Sequence, residues 1–147
     1  MILRAPHAHE AAELTALVLR SKASWGYSAA FIEACREELT VRPEAWGTPQ
    51  IAEDGAVLGY VELHEEGRAG RVGHLFIDPS AQRKGVGTAL LRWANDRARV
   101  LGLKRLILES EPKAESFYLK AGFLTVGHVA SSVDPERKLP VMERAIF

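Results

Sequence analysis

Three strand-like segments in succession, "QIAED" (50–54), "AVLGYVELHE" (56–65) and "GRVGHLFID" (70–78), constrain the fold of this chain more than any other feature. Asp54-Gly55 and Glu66-Gly67 separate them, and glycine in such a dipeptide supplies the positive φ of a tight hairpin turn. The segments therefore predict an antiparallel meander. Polar and apolar residues alternate along "YVELHE", which puts Tyr60, Glu62 and His64 on one face and Val61 and Leu63 on the other.

Helical and strand-like patterns surround the meander. Upstream, a short strand at Ile2 to Arg4 leads into a helix from Ala8 to Ser21 with Leu14, Leu17 and Val18 as its apolar stripe. A second helix follows over Ala29 to Leu39, after the interruption "SKASWGYS". Downstream, Val86, Leu90, Trp93, Ala94 and Leu101 recur at helical spacing from Gly85 to Leu101, and Gly102 is placed to stop that helix. "KRLILES" then reads as a buried strand, parallel to its predecessor because a helix crosses over between them. A short helix, "KAESFYLKA", ends at Gly122, and "FLTVGHV" and "LPVMERAIF" finish as strands joined by "ASSVDPERK". The expected fold class is α+β: a mixed, mostly antiparallel sheet with helices on both faces, built by residues 1–147 as a single domain.

Composition excludes several function classes. Nineteen basic and nineteen acidic residues cancel, so no global field draws in nucleic acid or a membrane. No apolar run approaches the roughly 18 residues a membrane span needs, and the N-terminus lacks a hydrophobic signal region. Cys35, the only cysteine, lies on an apolar helix face and cannot form an internal disulfide, which suits a core thiol in a reducing, cytoplasmic setting. His7 and His9 have no acidic or cysteine partners at ligand spacing, so no metal site is expected.

The stretch "DPSAQRKGVGTALL" (78–91) carries the first chemical signal. It is not a P-loop, because Gly87 is followed by Thr88 and Ala89 rather than Lys and a hydroxyl residue. Nor is it a Rossmann turn, whose third glycine would fall at Leu90. A strand, a short linker and a glycine-rich helix start nonetheless converge several N–H groups on a helix N-terminus, where an anion is stabilised. Gly85 and Gly87 keep side chains clear, Arg83 and Lys84 add positive charge, and Thr88 adds a hydroxyl. The alternative is a tight turn whose glycines only relieve strain.

The wider stretch "LFIDPSAQRKGVGTALL" resembles the signature [Q/R]-x-x-G-x-[G/A] of the GCN5-related N-acetyltransferases, with Gln82, Gly85 and Gly87 at its fixed positions. A second motif of that family, A-x-x-F-Y-x-x-x-G-F, stands complete as "AESFYLKAGF" (114–123). The order of predicted elements also follows the family across essentially the whole chain, and the tail "GHVASSVDPERKLPVME" looks like a common bacterial subgroup. The resemblance implies a splayed pair of parallel central strands. It also implies acetyl-CoA as acyl donor, with its pyrophosphate on the amides of Arg83, Lys84, Gly85, Val86, Gly87 and Thr88. Pantetheine would then lie along Leu75, Phe76 and Ile77, with Phe117 and Tyr118 closing the other side. One departure is Glu111, where the family often has an asparagine contacting the cofactor.

Acetyl transfer to an amine needs a neutral nucleophile, a donor for the tetrahedral oxyanion and a proton for the departing thiolate. A backbone N–H at Phe76 or Ile77 is the expected oxyanion donor. Tyr118 matches the family's general acid, and a phenol of ordinary pKa about 10 holds its proton at neutral pH. His74, which interrupts an apolar strand, is the candidate base; the alternatives are a core histidine and an ordered water chain. Glu62, His64 and Glu109 can shuttle protons or be solvated. The resemblance points to Trp25, Gly26 and Tyr27 as walls of the acceptor pocket, with Glu62 beside it. The expected reaction is N-acetylation of an amine by direct attack; the alternative is a non-catalytic acetyl-CoA sensor or interaction module on the same fold. A β-rich C-terminus can also pair two copies into a homodimer.

Overall fold

In the computed structural model, which describes residues 1–147, both hairpin turns form where the glycines predict them. Gly55 and Gly67 hold φ of 75° and 62°, a region costly for any residue with a Cβ. They join β2 (Thr48–Asp54), β3 (Ala56–Glu66) and β4 (Ala69–Ile77) into the antiparallel meander. β1 (Ile2–Arg4) pairs with the outer edge of β2. On the other side of β4 come β5 (Arg105–Glu109), β7 (Lys138–Ala145) and finally β6 (Leu124–Ala130), giving a sheet ordered β1-β2-β3-β4-β5-β7-β6.

Only β4 and β5 run parallel, and they pair for just three residues each, Ala69 to Arg71 against Arg105 to Ile107. The reason lies on the other edge of β4. Its register with β3 jumps from Leu63 opposite Val72 to Glu62 opposite His74, so Gly73 is an extra residue in β4. A bulge of this kind bends its strand and disrupts the ladder locally, and beyond it β4 leaves β5.

Helices cover both faces. α3 (Val86–Val100) and α4 (Glu115–Lys120) seal a core of Val61, Leu63, Leu90, Leu106, Leu108 and Phe123. α1 (Ala11–Ala23) and α2 (Ala29–Leu39) seal a second core with Leu14, Leu17, Val18, Ile51 and Tyr60, in which Cys35 is buried. No helix is long and apolar enough to cross a membrane.

Three element boundaries differ from expectation for local reasons. The first helix opens with a single 3-10 turn, Ala8–Glu10, because the Glu10 carboxylate turns back to accept the His7 N–H at 2.8 Å and to pair with Arg4 at 2.9 Å. β2 starts at Thr48 because Thr48 and Pro49 find partners in Leu63 and Glu62. The short helix is split, with a 3-10 turn at Pro112–Ala114 before α4, because Pro112 offers no amide to continue an earlier helix and Glu111 caps the turn at Lys113 N–H.

α3 crosses β3 at Gly59, where an added Cβ would lie 2.9 Å from Leu90 Cδ1 and from Val86 Cγ1. Leu90 is fully buried there. Leu90→Ala is expected to cost about 2–5 kcal/mol of stability, read from the urea midpoint; a loss below about 1 kcal/mol would mean that the site collapses around the smaller side chain.

Candidate active site

The gap between β4 and β5 opens into a cavity of about 690 Å³, walled by Leu75, Phe76 and Ile77 on one side and by Phe117 on the other. Sheet geometry decides which backbone groups face it. Asp78 N–H donates to the Leu58 carbonyl across β3 at 2.8 Å. In an antiparallel ladder such bonds alternate, so Ile77 and Leu75 turn their N–H and C=O groups away from β3 toward the gap. β5 pairs no residue beyond Arg71, so these groups form a free strand edge. Of the two amides expected to serve an oxyanion, the alternation favours Ile77 and commits Phe76 to β3.

The glycine-rich turn closes one end of this cavity. Arg83 (φ 63°) and Gly85 (φ 80°) are both left-handed, and they turn the chain abruptly into α3. The helical ladder begins with Ala89 N–H on the Gly85 carbonyl at 3.0 Å, which leaves the amides of Val86, Gly87 and Thr88 at an open N-terminus. Arg83, Lys84 and Thr88 are exposed. Val86 is buried in the core, so only its amide can serve a ligand. Gln82 lines this cavity as well, and its side-chain amide donates to Ser24 Oγ at 3.1 Å, tying the loop to the end of α1.

A second cavity of about 430 Å³ continues the gap on the other side, between Val72–Phe76 and Leu108–Glu111, roofed by Glu38 and Leu39 of α2 and by Ala130–Ser132. Leu75, Phe76, Glu111 and Tyr118 line both cavities, so the two meet at that ring of residues. Burial raises the Tyr118 phenol above its ordinary value, which keeps it protonated at neutral pH.

His74 stands in the second cavity at the end of a hydrogen-bonded chain. Trp46 Nε1–H donates to the Tyr60 hydroxyl at 2.6 Å, Tyr60 donates to Glu62 Oε2 at 2.6 Å, and His74 Nδ1 lies 3.1 Å from the same oxygen. His64 Nε2 occupies Glu62 Oε1 at 3.0 Å. Burial raises the Glu62 carboxyl, yet the bonds from His74 and Tyr60 outweigh it and hold the group below its ordinary value. Glu62 is therefore an acceptor, which fixes the proton of neutral His74 on Nδ1. Nε2 of His74 is buried and has no partner.

The loop residues expected to wall the acceptor pocket are placed differently. Trp25 lines the first cavity. Tyr27 lines neither, because its ring is flanked by Lys22, Lys113 and Arg137 at 5.3, 4.6 and 5.0 Å and its hydroxyl is bonded to Glu111 and Arg137. Glu111 also holds Lys22 and Arg137, each at 2.7 Å, with all three charged side chains at most 16% exposed. Four segments of the chain are pinned together at this carboxylate. Sequence reasoning missed Lys22, Glu38, Trp46 and Arg137, since each reaches the site from a distant segment with no motif around it; the alternation of Tyr60, Glu62 and His64 was its only local signal.

A mixed sheet with one splayed parallel pair and a glycine-rich helix start in the gap defines the fold of an acetyl-CoA-type acyltransferase. The chain belongs to the GNAT acetyltransferases: the family described as acetyltransferase (GNAT) domain matches residues 13–132. It is similar to glucosamine 6-phosphate N-acetyltransferase 1 of Oryza sativa subsp. japonica, at 34% identity over 91 residues, covering 60% of this chain and 54% of that protein. It is also similar to the aminoglycoside N(6')-acetyltransferase type 1 of Klebsiella aerogenes, at 36% over 90 residues, covering 54% and 59% respectively. The chain thus matches little more than half the length of these curated relatives. Among solved structures, the PaiA N-acetyltransferase of Thermoplasma acidophilum in complex with coenzyme A shares the fold at a TM-score of 0.76 and 18% identity, over 98% of both chains. A GCN5-related N-acetyltransferase from Rhodopseudomonas palustris does so at 0.80 and 20%, over 98% of this chain and 94% of that one.

The Glu111 cluster has a measurable signature. Burial raises the Glu111 carboxyl, but the bonds from Lys22 and Tyr27 prevail and lower it beneath its ordinary 4.5. The folded state therefore favours the ionised form: its contribution is complete above about pH 4.5 and is lost as pH falls through the lower folded value. Glu111→Gln leaves two cations short of their partner and is expected to cost about 3 kcal/mol or more at pH 7. It should also flatten the acid-side loss of stability, both read by urea unfolding at neutral and acid pH. Equal stability of variant and parent at pH 7 would show that the cluster holds nothing.

Proposed function

We propose that this chain, as one acetyltransferase domain, moves the acetyl group of acetyl-CoA to a primary amine by direct attack. The observation that carries the reading is the free edge of β4 at Leu75 and Ile77, with open helix amides at one end of its gap and the unpartnered Nε2 of His74 at the other. A helix N-terminus suits pyrophosphate, and an unpaired strand edge suits the amides of pantetheine. The matched curated relatives are named N-acetyltransferases.

In this reading His74 Nε2 takes a proton from the acceptor ammonium, while Glu62 holds Nδ1–H and stabilises the imidazolium. The freed amine nitrogen attacks the thioester carbonyl, forming the C–N bond. The Ile77 amide, pointing into the gap, donates to the oxyanion. Breaking of the C–S bond releases a thiolate, which takes the phenolic proton of Tyr118; the surplus proton on the new amide nitrogen restores the Tyr118 phenol, and His74 gives its proton to solvent. Trp46 and Tyr60 act through Glu62 as positioning residues.

Release of CoA thiol that depends on both acetyl-CoA and an added amine tests the activity. Tight acetyl-CoA binding without such release would make the chain a sensor. Gly87→Glu tests the donor site: a Cβ at Gly87 already lies 3.4 Å from Phe117 and 3.6 Å from Ile77, so a longer acidic side chain fills the gap beside the pyrophosphate. Calorimetry should detect no acetyl-CoA binding; retained affinity would move the phosphate site elsewhere. His74→Ala is expected to lower kcat about a hundredfold with little change in KM for acetyl-CoA, and undiminished turnover would make His74 a packing residue.

A further inference from the structure

The acceptor cavity divides its charged groups into those already committed and those still free. Lys22 and Arg137, its two cations, both lie 2.7 Å from Glu111, and Arg137 also donates to Tyr27. Glu109 and Glu38, its other carboxylates, have no cation within ion-pair distance; Glu38 accepts only from the Ser132 hydroxyl. The sheet register shows where Glu109 stands. Arg71 opposes His64 on one side and Ile107 on the other; side chains alternate along β3 and β5, and beyond the bulge His74 takes its face from its partner Glu62. His64, Glu62, Arg71, His74, Ile107 and Glu109 therefore share one face, with Glu62, His74 and Glu109 on three adjacent strands.

The two cavities also differ in sign. Arg83, Lys113 and Lys120 line the first against the single carboxylate Glu111, whereas the second holds three carboxylates against two cations. The gap is cationic where a phosphate-bearing donor enters and anionic where the acceptor enters. The buried, unpartnered Nε2 of His74 marks where one acceptor nitrogen goes. An acceptor with a single amine satisfies His74 and leaves Glu109 and Glu38 without an ion-pair partner, since Arg71, the cation whose charge Glu109 feels, is bonded to Glu66. One that carries a carboxylate or phosphate sets a like charge against them, while the cations that could receive it are held by Glu111.

Building on the acetyltransferase reading, we propose that the acceptor is an oligoamine: one nitrogen lies at His74, and a second, still protonated, is held by Glu109, with Glu38 contributing at the wall. Linear polyamines and amino sugars bearing several amines share this chemistry.

The test compares thiol release from acetyl-CoA for matched acceptors: a short linear diamine against the monoamine of the same carbon chain, a diamino sugar against its monoamino counterpart, and an α-amino acid and a phosphorylated amino sugar as anionic controls. Each diamino member of the favoured series should exceed its monoamine about tenfold in kcat/KM, the worth of one charge-assisted contact, and the advantage should shrink as salt is raised. The series showing it identifies the source, linear or sugar. Glu109→Gln should bring the diamine-to-monoamine ratio toward one, chiefly through KM for the diamine, while calorimetry confirms that acetyl-CoA still binds. Preferred turnover of an anionic acceptor, equal turnover of diamines and monoamines, or a diamine preference that survives Glu109→Gln would each overturn the proposal and leave the acetyltransferase reading standing. Release with none of these amines would overturn both.

Discussion

One extra residue at Gly73 keeps β4 from following β5 beyond Arg71, and the remaining features of the site rest on that separation. A sheet ordinarily completes its ladder, because unpaired N–H and C=O groups away from water are costly. Here the bulge leaves Leu75 and Ile77 with a free edge inside the protein, and the two cavities are the space that opens beside it. Glycine suits the position for a packing reason as well: a Cβ at residue 73 would lie 3.1 Å from His64 Cδ2, crowding the ring that bonds Glu62.

Two largely buried carboxylates, Glu62 and Glu111, show how neighbours set the role of one chemical group. Burial pushes both up, and hydrogen bonding pulls both below their ordinary value. The donors differ. Glu62 is held by the Tyr60 hydroxyl and two imidazoles, so its charge is available to orient His74 and to stabilise it once protonated. Glu111 is held by two permanent cations, so its charge is neutralised in place and serves to fasten α1, the α1–α2 loop and the β6–β7 loop across the gap.

Much of the fold was legible because its signals are local. The glycines at 55 and 67 announced the meander, helical spacing from Val86 announced α3, and the crossover it makes required a parallel partner for β4. The errors at Ala8, Thr48 and Lys113 came from side chains or pairing partners outside the segments being read. In the site, the glycine-rich turn and the Phe117-Tyr118 pair were legible as motifs. The loop aromatics were not: Tyr27 sits among three cations drawn from α1, the β5–α4 loop and the β6–β7 loop, and nothing in "SWGYS" encodes them.

By itself the sequence determined the order and kind of the elements, the helix start with its open amides, and the alternation that puts Tyr60, Glu62 and His64 on one face. These follow from φ preferences and from the periods of helix and strand, which act over a few residues. Only the tertiary structure decided that Trp46 reaches Tyr60, that Glu62 holds His74 and leaves its Nε2 free, and that Glu111 collects Lys22 and Arg137 while Glu109 stays unpaired. Coulomb and hydrogen-bond energies depend on distance in space, and positions 22, 46, 62, 74, 111 and 137 come within reach of one another only when the sheet has formed.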